Sequence, residues 1–368
     1  MKQFLSAFFL FIFSANLVAQ DFFRENFDTG KTYILLANPT VRNLETVTFL
    51  IDNNLLNVNK RKTRFVGIYH EQQAYDFEAS RRYVETRGLN RFYLHEIRGK
   101  LDTTKLYLEN GYTAEMRNLF ENSTGIFFFG GPDIPPAVYG EKNTRSVVTD
   151  PARHYFEITL LFHLLGSYRN NHFEPFLHKN PDYFVSGFCL GMQTMNVATG
   201  GTLIQDIPAE IYGAETPEAT VQNGKMNMHR NYWQKISTDS LLMTINFHPI
   251  RFTEHPFFGE SVKVAKTKKP LIYSSHHQAA EKIGKGLEVT AVSNDGKIVE
   301  ALTHTTYPHV FAVQFHPEVP ALYENQQQKK FHPDDTPQTY HELIGRQNVK
   351  FHKKYWRYIS KTLKKAAR

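Results

Sequence analysis

The chain has 368 residues, 41% of them hydrophobic, with no low-complexity tract, and a chain of this length can bury a sizeable core. Its single cysteine excludes an intrachain disulfide. The formal net charge of +7 is local: residues 350–368 hold eight Lys or Arg and no acid, which leaves the rest at −1 and argues against a nucleic-acid-binding protein.

In chain order, Met1-Lys2, the apolar run from Phe4 to Phe13 and the small-residue stretch from Ser14 to Gln20 form the pattern of a cleavable secretory signal, with cleavage near Ala19 or Gln20. The run is short for the ~20 residues of a membrane span. No cysteine follows it for lipid attachment, so a stable membrane anchor is not expected. Tyr33 to Ala37, Arg64 to Tyr69, Phe92 to Leu94 and Gly125 to Phe129 read as strands. Between them, Leu44 to Leu56, Ala74 to Arg87 and Thr113 to Phe120 read as helices, as does Pro151 to Leu165 after the last of them. This rhythm predicts an α/β fold with a mainly parallel sheet covered on both faces. Residues 209–270 alternate less cleanly and are read as β-rich excursions with loops. The basic tail carries Phe351, Tyr355, Ile359 and Leu363 at helical spacing, which predicts a docked C-terminal helix with a solvated basic face. A weak attraction of that face to anionic lipid or polymer is the alternative. The expected organisation is a leader over 1–20, one hydrolase domain over 21–348 and the basic helix over 349–368.

The lone cysteine sits in Gly187-Phe188-Cys189-Leu190-Gly191, after the apolar Tyr183-Phe184-Val185 and before a helix-compatible run from Met192 to Ala198. A lone cysteine is commonly buried and inert. Here it lies in a G-x-nucleophile-x-G pattern, where a strand turns sharply into a helix and exposes the nucleophile at the top of a sheet. The helix N-terminus favours thiolate over thiol there. A nucleophile needs a base, and the base needs an orienting group. Phe311 to Phe315 reads as a strand ending at His316, with Glu318 two residues on and Pro317 holding the connection extended. Such sites lie beyond the carboxyl ends of parallel strands, where Gly130-Gly131, Cys189 and His316 all fall.

Phe188 to Gln193, with Asn196 to Leu203 and Gln205 to Pro208, resembles the class I glutamine amidotransferase superfamily. Within it, the gamma-glutamyl-gamma-aminobutyrate hydrolase family, related to the gamma-glutamyl hydrolases, is the most similar. Four further segments agree in order: Gly130 to Ile134, Asp150 to Arg153, Ser275 to Gln278 and Val313 to Glu318. The resemblance covers roughly residues 125–320 and implies flavodoxin-like layers with a nucleophile elbow. It implies a Cys189-His316-Glu318 triad that cleaves a small gamma-glutamyl substrate through a thioester. Backbone N–H groups of Gly130, Gly131 and Leu190 hold the oxyanion in that scheme, and Ser275, His276, His277 and Gln278 line the substrate pocket, with Gln193 in support. No cofactor is implied. His276-His277 are not read as metal ligands, because neither Cys nor carboxylate lies beside them at ligand spacing. The chain departs from the family at Leu190, usually Arg, which affects charge at the pocket mouth, and at His154, usually Asp. Insertions at 166–181 and 245–270 leave substrate identity the least transferable part of the resemblance. Two other functions fit the scaffold: a glutaminase component of an amidotransferase, and a catalytically silent secreted binding protein.

Overall fold

The computed structural model describes Phe22 and residues 27–367; the leader read at residues 1–20 lies outside them. The strands are β1 (Thr32–Ala37), β2 (Thr63–His70), β3 (Phe92–Ile97), β4 (Gly125–Phe128), β5 (Phe184–Phe188), β6 (Leu203–Ile204), β7 (Asn246–Phe252), β8 (Leu271–Ser274), β9 (Ala279–Ala280), β10 (Leu287–Ser293), β11 (Val299–His304) and β12 (Val310–Val313). One sheet runs in the order β3-β2-β1-β4-β5-β12-β11-β10-β7-β8, and β6 pairs with β9 apart from it. Neighbours from β3 to β12 are parallel. From β12 to β8 they are antiparallel. The predicted α/β architecture is therefore present, and the sheet continues into an antiparallel wing.

The helices of the first half are α1 (Val41–Asp52), α2 (Phe77–Thr86), α3 (Thr113–Glu121), α4 (Pro151–Leu165) and α5 (Leu190–Ala198). Their starts are chemically marked. Thr40 caps α1, Asp76 caps α2, and Asp150 caps α4 with Pro151 at its first position. Successive strand residues face opposite sides, so the central strands feed two cores. Leu35, Ile126, Phe128 and Val185 pack with Met116 of α3, Phe156 and Leu161 of α4, and Met195 of α5. Ile34, Leu36, Phe127, Phe184 and Phe188 pack on the other face with Leu44, Val47 and Ile51 of α1.

The C-terminal helix α9 (Tyr340–Ala366) closes that second face. It starts earlier than the expected position 349, at a capping box formed by Thr339 and Glu342. Gly345, at φ 73°, breaks it near its start. Phe351, Tyr355, Ile359 and Leu363 are buried as the spacing predicts, and Trp356 joins them. Lys353, Arg357, Lys361 and Lys364 stay exposed. Among the described residues no helix is long and apolar enough to cross a membrane.

The β-rich reading of 209–270 is corrected. This stretch holds the tail of α6 (Ile207–Tyr212), then α7 (Pro217–Gln222) and α8 (Trp233–Ile236), and only β7 as a strand. Asp206 and Thr216 cap α6 and α7, each with a proline in the first turn. Those local signals outweigh the poor apolar periodicity.

Candidate active site

β5 is wholly buried and ends at Phe188; α5 begins at Leu190. Cys189 occupies the single residue between them at φ 52°, ψ −107°. A non-glycine residue held there stores strain on the order of 1–3 kcal/mol. Its N–H donates to the Val313 carbonyl of β12 at 2.9 Å, which ties the turn to the neighbouring strand. The flanking glycines are required by space. A Cβ at Gly187 would lie 2.5 Å from the Gly191 backbone, and one at Gly191 would lie 2.5 Å from the Phe128 carbonyl oxygen. Leu190, at the first helical position, is one of the residues whose N–H has no partner within the helix.

Cys189 is 7% exposed and lines a cavity of about 710 Å³ together with His316 and Glu318. His316 follows β12, and its backbone N–H donates to the Tyr273 carbonyl at 2.9 Å. Its Nδ1 is 2.6 Å from Glu318 Oε1. Burial opposes charge on this imidazole, but the Glu318 carboxylate and the Cys189 sulfur beside it outweigh burial and lift its pKa to about 10. Gln314, also just past β12, donates from Nε2 to Cys189 Sγ at 3.6 Å.

Gly130 and Gly131 follow β4 and border the same cavity. A Cβ on Gly130 would lie 2.7 Å from His316 Cε1 and 3.7 Å from the Cys189 Cβ. The loop is held from below by Arg153 of α4, whose Nη2 donates to the carbonyls of Phe129 at 2.9 Å and Gly130 at 3.1 Å. Arg153 is 1% exposed; its Nε donates to Glu157 Oε1 at 2.9 Å and its Nη1 to the Tyr75 hydroxyl at 3.1 Å.

The predicted substrate residues also border the cavity, in differing ways. Gln193 donates to Gln314 Oε1 at 3.4 Å and to the Gln278 carbonyl at 3.1 Å, so it supports the donor to Cys189. Gln278 donates to Ser146 Oγ at 2.8 Å while its own Oε1 is buried without a partner. Ser275 lines the wall. His277 bridges two carboxylates, with Nε2 2.9 Å from Asp133 Oδ2 and Nδ1 3.0 Å from Asp206 Oδ1. Burial opposes its charge, but these two hydrogen bonds win and raise its pKa. The His276 ring carries its Nε2 to 3.8 Å from Glu300 Oε1, behind the cavity wall.

Neither insertion contributes a residue to the cavity lining. Residues 166–181 pack on the α4 side, with Phe173 against Phe162 at 4.5 Å and Asn170 bonded to the Tyr107 carbonyl. Residues 245–270 form β7 and a turn whose Phe258 meets Phe351 of α9. Arg42, Arg230 and Lys235 bring positive charge to the cavity lining, beside the acidic Asp133 and Glu318. Sequence reasoning missed Arg153 as a loop holder. The signal available was an Arg and a Glu four apart on an otherwise apolar helix. His154 is buried with both ring nitrogens unpartnered, and burial drops its pKa to about 3.

The Peptidase C26 family profile matches residues 65–318. The chain belongs to the Peptidase C26 family. A glutamine amidotransferase-like protein of Rickettsia prowazekii is 29% identical over 220 residues, covering 55% of this chain and 73% of that protein. A glutamine amidotransferase-like protein of Lactococcus lactis subsp. lactis is 29% identical over 222 residues, covering 59% and 75%. A solved structure from Thermoplasma acidophilum overlaps 91% of this chain at a TM-score of 0.38 and 10% identity, a likeness too slight to weigh. As a Peptidase C26 protein, the chain is a glutamine amidotransferase-like hydrolase of C–N bonds.

Proposed function

We propose that this Peptidase C26 protein is an exported cysteine hydrolase that cleaves a gamma-glutamyl amide bond. The observation that carries the reading is the imidazole of His316, paired at 2.6 Å with Glu318 and interacting with Cys189 at a strained strand-to-helix turn. In the proposed reaction the Cys189 thiolate adds to the gamma-carbonyl carbon. The resulting oxyanion is held by the backbone N–H groups of Leu190 and Gly131, with Gly130 beside them. Each such donor typically contributes on the order of 10²–10³ in rate. His316, lifted to about 10, carries its proton at neutral pH and gives it to the leaving amine as the C–N bond breaks. Water then attacks the thioester with His316 as base, releasing glutamate and restoring the thiolate-imidazolium pair. Glu318 fixes the imidazole orientation throughout.

Arg42, Arg230 and Lys235 at the cavity suit the alpha-carboxylate of a glutamyl group. The signal-like pattern read in the sequence of residues 1–20 supports the export part of this proposal.

The test is product analysis with purified protein on gamma-glutamyl-GABA, poly-gamma-glutamyl chains, glutathione and free glutamine. Glutamate release from at least one gamma-glutamyl amide is expected, together with its loss in Cys189→Ser. Wild-type rates in Cys189→Ser would remove the nucleophile assignment. Turnover of glutamine alone would favour the glutaminase reading, and no turnover at all the binding-protein reading. Export is tested by mass spectrometry of the N-terminus after expression with the leader: about twenty residues should be missing.

A further inference from the structure

Folding brings together four buried side chains from distant parts of the chain: His229 from the loop between α7 and α8, His248 of β7, His276 from the loop between β8 and β9, and Glu300 of β11. One potential ligand atom from each lies within 4.8 Å of all the others. Glu300 Oε1 is central, at 3.1 Å from His229 Nδ1, 3.7 Å from His248 Nε2 and 3.8 Å from His276 Nε2. We propose that these four residues form a closed site for a divalent transition-metal ion, with Zn²⁺ as the fitting ion.

Three observations carry it. The first is orphaned polarity. His229 Nδ1 and Nε2, His248 Nε2, His276 Nε2 and both Glu300 oxygens are buried without a hydrogen-bond partner. Leaving a buried polar atom unsatisfied costs about 1–3 kcal/mol each. A proton on Glu300 could serve one imidazole at most, whereas one dication serves all four ligands. The second is preset orientation. His276 Nδ1 lies 2.8 Å from the Gln278 carbonyl and His248 Nδ1 lies 3.3 Å from the Pro249 carbonyl. A ring that donates from Nδ1 presents the lone pair of Nε2, which is how metal-ligating histidines are held. The third is size. A tetrahedron with Zn–N and Zn–O bonds of about 2.0 Å has edges of roughly 3.3 Å. The three contacts to Glu300 straddle that length.

Three imidazoles and one carboxylate suit zinc over calcium or magnesium, which take oxygen ligands. Four protein ligands leave no open position, so the ion is structural. His276 is flanked by Ser275 and His277, and His229 by Arg230, all of them at the cavity. The ion would pin these two loops to β7 and β11. The sequence offers no such reading at His276, because Glu300 is brought beside it only by folding.

The test uses the full chain, purified without metal-affinity steps from zinc-supplemented cells. Elemental analysis should find about one zinc per chain. Replacement with Co²⁺ should give the intense visible bands of tetrahedral cobalt, and chelation should lower Tm. Glu300→Gln should cut zinc affinity by more than ~10-fold, since even outer-shell partners of a zinc site are worth that much. Wild-type protein with less than a tenth of an equivalent of metal, no cobalt bands and no Tm change on adding Zn²⁺ would overturn the proposal. So would a folded Glu300→Gln variant with full occupancy and an unaltered cobalt spectrum. If Glu300→Gln fails to fold, the wild-type stoichiometry and cobalt spectrum decide alone.

Discussion

The indole Nε1 of Trp356 donates a hydrogen bond of 2.8 Å to the carbonyl of Pro317, the residue between His316 and Glu318. The Tyr323 hydroxyl donates to the same oxygen at 2.5 Å. The C-terminal helix thus reaches through the core to the backbone that spaces the imidazole from its carboxylate. Trp356→Phe keeps most of the packing and removes one donor, so a loss of about 1 kcal/mol is expected. Trp356→Ala also empties a 1%-exposed site and should cost about 3–5 kcal/mol. Urea unfolding measures both. A kcat that falls in Trp356→Phe with KM unchanged would show that the contact positions the dyad.

Arg153 holds the Phe129 and Gly130 carbonyls and shares its charge with Glu157, both side chains being essentially sealed from solvent. Arg153→Met leaves Glu157 as a lone buried carboxylate and should destabilise by about 3–5 kcal/mol. Arg153→Met with Glu157→Leu should recover most of that stability without recovering activity, since the Gly130-Gly131 loop is no longer held. Gly131→Ala should fail for a steric reason, as its Cβ would lie 2.1 Å from Arg153 Nη1. Denaturation midpoints and kcat/KM of the three variants separate the two roles.

His316 gives a pH dependence with a definite sign. Its folded pKa, raised to about 10 against an ordinary value of 6.5, means that the native state binds the proton more tightly than the unfolded state. The resulting stability is fully present below pH 6.5 and is lost as pH climbs through 10. Glu318→Gln removes the largest raising influence and should flatten that decline. Chemical unfolding from pH 6 to 10.5 on both proteins checks it; parallel curves would contradict the His316–Glu318 pairing.

Cys189 should alkylate with iodoacetamide in the native protein, because it faces the cavity despite being only 7% exposed. His316→Ala should slow the reaction and a filled pocket should block it. Labelling that appears only after unfolding would assign Cys189 to an inert core.

Two parts of the candidate site's geometry were legible because they are local in the chain. Gly187 and Gly191 mark a turn that only glycines fit, and His316 and Glu318 stand two residues apart. The parallel half of the sheet was legible too, since strands buried on both faces are written as continuous apolar runs. The short helices α6 and α7 were misread through their weak periodicity, although Asp206-Ile207-Pro208 and Thr216-Pro217 carry ordinary helix-start signals.

What the sequence by itself determined is the set of short-range constraints: helix caps, the Cys189 turn, the His316–Glu318 pair and the apolar stripe of α9. Only the tertiary structure decided that Arg153 holds the Gly130 carbonyl, that Trp356 reaches Pro317, and that Glu300 meets His229, His248 and His276. The reason is physical. Backbone propensity and spacing act over a few residues, whereas a buried charge or donor is satisfied by whatever partner the packed sheet brings to it, 71 positions away for Glu300 and His229.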